Sequence, residues 1–145
     1  MKPSTHACLF LVLLSCAAQA ASGGGKEPVF IGAQACGSCH EGVAAGQQFS
    51  RWRLSAHARA YAALSLPESR EITRLSGLTE EPHRARMCLG CHATGAEAEE
   101  WERDTGFHLE DGLQCEGCHG AGSEYAPDEV MRDQPRLLSM PTLGK

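Results

Sequence analysis

Three short segments of this 145-residue chain repeat one pattern: Cys36-Gly37-Ser38-Cys39-His40, Cys88-Leu89-Gly90-Cys91-His92 and Cys115-Glu116-Gly117-Cys118-His119. C-x-x-C-H is the signature of covalent attachment of a c-type haem. Two thiols separated by two residues reach the two vinyl groups on one porphyrin edge and form thioethers. The histidine that follows falls under the iron and supplies an axial nitrogen. Chance is a poor rival: with the chain's eight Cys and seven His, a shuffled sequence would hold about 0.02 such motifs. Once Cys8 and Cys16 of the N-terminal segment are set aside, the motif cysteines are all the chain contains, so no thiol is left for a disulfide. The expected cofactors are three covalently bound haem c groups, held by Cys36, Cys39, Cys88, Cys91, Cys115 and Cys118 and ligated by His40, His92 and His119.

Residues 1–20 have the make-up of a secretory signal peptide: Lys2 near the start, an apolar run from Ala7 to Ala18, then Ala18-Gln19-Ala20 as an A-x-A cleavage site. The run is shorter than the roughly 20 apolar residues that span a bilayer. The sequence therefore predicts export, to a periplasm or equivalent compartment, with no transmembrane helix in the mature chain. Leu13-Leu14-Ser15-Cys16 also fits lipoprotein processing, which would leave Cys16 as a lipid anchor. Residues 21–28 form a Gly-rich flexible linker, and 29–145 the haem-bearing domain. Large aromatics are few there and Gly and Ala many, so a protein-only core would be thin. Burial of apolar porphyrin plates would supply the rest. A net charge of −5, from 18 acids and 13 bases, argues against a nucleic-acid partner.

Between Glu41 and Leu66 the apolar residues recur at helical spacing, predicting two helices broken near Ser55, with Pro67 just past the second. His57 then falls in the first turn of the second helix and is a candidate distal ligand. Residues 68–86 predict a short helix and a loop carrying His83. Residues 93–114 predict a loop with turns at Gly95, Gly106 and Gly112; it carries His108, with Trp101 and Phe107 to pack on porphyrin faces. His83 and His108 are further candidate ligands, although a lone loop histidine is commonly just solvated. Only 22 residues separate His92 from Cys115, against 47 between His40 and Cys88, which tethers the second and third haems closely. After His119 come a tight turn and a polar tail with one helix near Asp128 to Arg132.

Residues 115–122 also fit C-x-x-C-x-G-x-G, the zinc repeat of DnaJ-type chaperones. Three irregularly spaced pairs behind an export signal suit that poorly. Thioredoxin-like chemistry would need a βαβ context that is missing around every copy.

Four segments together resemble the cytochrome c-554 family of multihaem cytochromes: Val29-Phe30-Ile31-Gly32, the run from Ser55 to Ala60, the run from Cys88 to Gly95, and the run from Gly112 to Ser123. The similarity extends from Val29 to about Arg132. It implies a fold that is mainly α, a small multihaem cytochrome with helices and loops wrapped around haems stacked in close, partly parallel pairs and with little or no sheet, acting as an exported electron carrier. It further implies that His57 reaches the iron of the His119 haem and that the middle haem, on His92, is five-coordinate. Family members often carry a histidine shortly after the third motif; here Glu124-Tyr125-Ala126 follows, which leaves His83, His108, Met131 or Met140 to close the His40 haem. Related four-haem proteins continue into another C-x-x-C-H near where this sequence stops, so a shortened member or a truncated frame is expected.

The expected function is single-electron transfer between redox protein donors and acceptors, a larger respiratory complex being one form of such a partner. The rival is a reductase acting on a nitrogen oxide, hydroxylamine or peroxide at a haem with an open sixth position, with His83 or His108 donating protons.

Overall fold

The structure is a computed structural model and describes residues 27–139. The segment read as a signal peptide, with its alternative lipidation position Cys16, most of the expected linker and Met140 lie outside the described residues.

Eight short helices make up the described chain: α1 (Ala33–His40), α2 (Gln48–Arg53), α3 (Ala60–Ala63), α4 (Pro67–Leu75), α5 (Arg86–His92), α6 (Glu116–His119), α7 (Asp128–Met131) and α8 (Gln134–Ser139). Three 3-10 turns, Val43–Ala45, Glu100–Glu102 and Leu109–Asp111, punctuate the loops. No strand forms among the described residues; an isolated parallel bridge joins Phe30 to Arg103. There the Phe30 N–H donates to the Glu102 carbonyl and the Phe30 carbonyl accepts from Asp104, both at 2.8 Å. The fold is thus mainly α, as predicted. The longest helix has 9 residues, below the roughly 12 that make an isolated helix even marginal in water. Tertiary contacts must hold every one of them.

The break at Ser55 falls where the sequence puts it. The Ser55 hydroxyl donates to the Trp52 carbonyl at 2.6 Å and accepts the Ala58 N–H at 3.5 Å, which turns the chain. That turn runs longer than expected. Helix α3 starts only at Ala60, so His57 lies in the turn before it rather than in a helix. Pro67 also differs: besides following α3 it is the first residue of α4, where a missing N–H costs nothing and a fixed φ suits the first turn.

The protein core is small. Leu64, Leu89 and Ala93 form its centre, with Tyr61, Cys88, Ala96 and Leu109 packed around them, which fixes α3 against α5. A second contact fastens α2 to α1: a Cβ on Gly37 would sit 2.8 Å from the Phe49 ring, so only glycine between those two cysteines lets the ring approach. Phe107 packs against Phe30 with the rings tilted by 51° and centroids 5.7 Å apart and is buried, so the protein uses it rather than leaving it for a porphyrin face. Trp101 is exposed, along with Val43, Leu54, Ile72, Leu75 and Met87. That is much apolar surface for so short a chain.

Candidate haem-binding sites

Each motif occupies the end of a helix. His40, His92 and His119 are the last residues of α1, α5 and α6. Helical spacing puts the first cysteine of each motif three residues before the second and four before the histidine, which gathers all three side chains on one side of a turn. The helix C-terminus adds partial negative charge beside the histidine, favourable to a cationic centre. Exposure repeats as well: Cys36, Cys88 and Cys115 are half-buried, while Cys39, Cys91 and Cys118 are exposed, and none of the six is in a disulfide.

At the second site the imidazole is already oriented. His92 Nδ1 lies 2.7 Å from the Ala60 carbonyl. A carbonyl only accepts, so Nδ1 carries the proton and Nε2 keeps its lone pair in the neutral ring. Such a bond fixes the tautomer and raises the basicity of the ligating nitrogen. Ala60 could not be found from the sequence, because the interaction uses its backbone alone.

At the third site a cavity of about 270 Å³ is lined by Trp52, His57, Leu113, Cys115, Cys118 and His119 among others. The exposed His57 thus faces the same space as the motif histidine. Its backbone is held there by two donors, since its carbonyl accepts the Leu113 N–H at 3.0 Å and the Ala60 N–H at 3.1 Å. Trp52 braces the same wall by donating its indole N–H to the Leu113 carbonyl at 2.7 Å. Gly112 makes the close approach possible with φ +76°; a Cβ there would lie 2.5 Å from the His57 carbonyl oxygen.

His83 is half-buried in the turn before α5, next to the buried Pro82. His108 is exposed at the head of the 3-10 turn Leu109–Asp111, and its carbonyl accepts from Gln114 Nε2 at 2.8 Å. Neither lines the cavity at the third site. Met131 is half-buried at the end of α7.

The third motif touches both others. Three of the four buried polar residues among the described ones, Thr94, Gln114 and Glu116, lie in or beside it. Toward the second site, Thr94 donates its N–H to the Gly112 carbonyl and its hydroxyl accepts the Gln114 N–H, both at 2.9 Å. That agrees with the short tether seen in the sequence. The contact with the first site has no counterpart in the spacing. The Gln114 side-chain oxygen accepts the Ala33 N–H at 2.7 Å, and the Glu116 carboxylate accepts the N–H groups of Ile31, Gly32 and Gly122 at 2.8, 2.8 and 2.7 Å. Together they cap the N-terminus of α1 from 81 and 84 residues away along the chain, where no side chain of α1's own N-cap does so.

The leading thiols of the two motifs meet as a result. A hydrogen bond between Cys36 and Cys115, reinforced by burial, pushes Cys36 well above the ordinary thiol range, and the same bond brings Cys115 down to about 7. Nearby, Tyr125 donates to the Gly120 carbonyl at 2.8 Å; burial first, then the Glu116 charge, raises its phenol above the usual value.

The donor set fits haem c at all three motifs: paired thiols on a helix end, a terminal histidine, and apolar surface of the kind a macrocycle takes up. Among the described residues no group of three or more His, Cys, Asp or Glu is arranged to hold a bare metal ion. No helix of the described residues is long and apolar enough to cross a membrane.

Comparison with known proteins points the same way. No solved structure matches the chain. Cytochrome c-554 of Nitrosomonas europaea is 28% identical over 107 residues, an alignment covering 68% of this chain and 41% of that protein, so the chain spans well under half the length of the relative. The sequence profile described as cytochrome c554 and c-prime matches residues 35–120, from the first haem motif through the third. More than half of the sequence falls within that match, and the chain therefore belongs to this cytochrome family, whose chemistry is electron transfer through covalently bound haem c.

Proposed function

We propose that this chain is an exported three-haem c-type cytochrome that relays single electrons between redox partner proteins. The observation that carries it is the junction at the third motif, which abuts the first through Gln114 and Glu116 at the start of α1 and the second through Thr94. Sites held that close suit electron exchange over short range and need no substrate pocket. Each bound haem supplies an Fe(III)/Fe(II) couple whose potential depends on its axial ligands. The chain's part is to hold and orient: the six motif cysteines would anchor the haems, and His40, His92 and His119 would ligate the irons.

His57 is assigned as the distal ligand of the third site, on the strength of the cavity it shares with His119. His83, His108, Met131 and Met140 are the candidates at the first site. The Ala60 carbonyl, by holding His92 Nδ1, presents Nε2 at the second. An acidic surface then meets a basic partner in a weak, salt-sensitive contact.

The test is the mass and spin state of the exported holoprotein. Three added haems with low-spin ferric irons indifferent to cyanide are expected of a pure carrier. A high-spin fraction that binds cyanide or NO would favour the reductase instead, and a colourless product with the mass of the bare chain would overturn both.

A further inference from the structure

We propose that Glu116, the first spacer residue between the two thiols of the third motif, holds down the reduction potentials of the first and third haem sites together through its charge. The inference rests on the three-haem function proposed above.

The first spacer residue is buried in all three motifs, Gly37, Leu89 and Glu116 alike, but only in the third does it carry a carboxylate, which is 2% exposed. Its two oxygens accept from three backbone N–H groups, those of Ile31, Gly32 and Gly122. These are neutral donors, and none of the ion pairs among the described residues involves it. A buried negative charge therefore stands at the seam between the two sites, without a cation to cancel it. Its side chain crosses to the N-terminal turn of α1, so the helix that carries Cys36 and His40 begins on this carboxylate. Cys115 is its immediate chain neighbour. The charge is felt at the Cys36 and Cys115 thiols alike, one from each of the two motifs.

Reduction removes one positive charge from a haem iron. A fixed anion in a poorly screened setting favours the oxidised, more positive state and so lowers the potential. Distance grades the effect. The first and third sites flank Glu116 directly, while the second reaches the third motif through Thr94, on the side of Gln114 and Gly112. Two potentials out of three should respond.

Gln114 supplies the complementary perturbation. It is 3% exposed and caps the adjacent Ala33 N–H at 2.7 Å, yet it is neutral. Glu116→Gln removes a charge at this seam and Gln114→Glu, once ionised, adds one, each with almost no change in shape, although the second also gives up the Nε2–H bond to the His108 carbonyl. Mechanical damage would move the potentials the same way in both variants. A charge effect must move them in opposite directions.

The experiment is a spectroelectrochemical titration of wild-type, Glu116→Gln and Gln114→Glu holoproteins, each first checked by mass for its haem content. Glu116→Gln should favour reduction of two haems at least tenfold each, which is 59 mV for a one-electron couple. Gln114→Glu should shift the same two the other way, and the remaining haem should stay within twofold in both. Shifts of the same sign, an equal shift of all three haems, or no shift in loaded variants would overturn the inference while leaving the three-haem function standing. Should one variant fail to take up haem, the sign of the other decides. A wild-type mass without three haems would overturn the function and this inference together.

Discussion

Replacing Gly112 by alanine tests how the distal wall of the third site is built. At φ +76° an L-residue sits in the left-handed region, at a cost of about 1–2 kcal/mol. The new Cβ would lie 2.5 Å from the His57 carbonyl oxygen and 3.3 Å from the Ala60 nitrogen. The carbonyl must retreat by about 1 Å to reach an ordinary contact separation. That movement strains both hydrogen bonds it accepts, from Leu113 and Ala60, each contributing about 1 kcal/mol. A total of about 3–4 kcal/mol follows, a large share of the stability of a small domain. Thermal denaturation of the holoprotein should shift down by roughly 10 °C or more. The displaced His57 should also leave one ferric haem high-spin in the absorption and electron paramagnetic resonance spectra. Gly42 is the control: it has φ −70° and open space around its missing Cβ, so Gly42→Ala should melt like the wild type. Gly112→Ala melting within a few degrees of wild type, with an unchanged spectrum, would refute this account of the wall.

The remaining predictions concern single groups. His57→Ala should convert one low-spin haem to high-spin with little change in fold, because the side chain is exposed; an identical spectrum would remove His57 from the ligand set. Trp52→Phe takes away the 2.7 Å bond to the Leu113 carbonyl and should cost about 1 kcal/mol in denaturant titrations, so a variant as stable as wild type would show that the bond carries no weight. Tyr125 gives a pH signature. Its phenol is raised in the folded chain, so above pH 10 the unfolded state loses this proton first, binds fewer protons than the folded state, and stability falls as pH rises. Tyr125→Phe should flatten that alkaline loss, and an unaltered profile would mean that burial there is not what holds the proton.

What could be seen in the sequence was what side-chain chemistry at fixed spacing encodes. The motif thiols and histidines announce themselves, and Ser55 breaks the chain where it was expected because its hydroxyl can serve both turns. The outcome at His57 was mixed for a physical reason. Apolar periodicity locates α3 but not its first residue, and a Ser-capped turn competes with one more turn of helix on nearly equal terms. Pro67 was placed after a helix, though the ring suits the first turn of the next one equally well. Phe107 looked free for a porphyrin because nothing in the pattern reveals that Phe30, 77 residues earlier, lies against it. Ala60 and the Leu113 carbonyl act through their backbones, and no residue type signals that.

Glu116 shows why spacing along the chain is a poor guide to spacing between sites. The interval of 22 residues made the second and third motifs neighbours, and Thr94 bears that out. The tighter junction is between the first and the third, which are separated by most of the described chain. Two adjacent facts produce it. Helix α1 starts at glycine and offers bare N–H groups, which must find acceptors once buried. The third motif offers the acceptors, Gln114 and Glu116, on either side of Cys115. Satisfying those donors necessarily draws Cys115 onto Cys36, so the requirement that closes a helix end also decides which two attachment sites stand together. A glutamate in a spacer that elsewhere tolerates Gly, Ser or Leu would pass as a solvated residue in the sequence; here its burial makes it the hinge of the pairing.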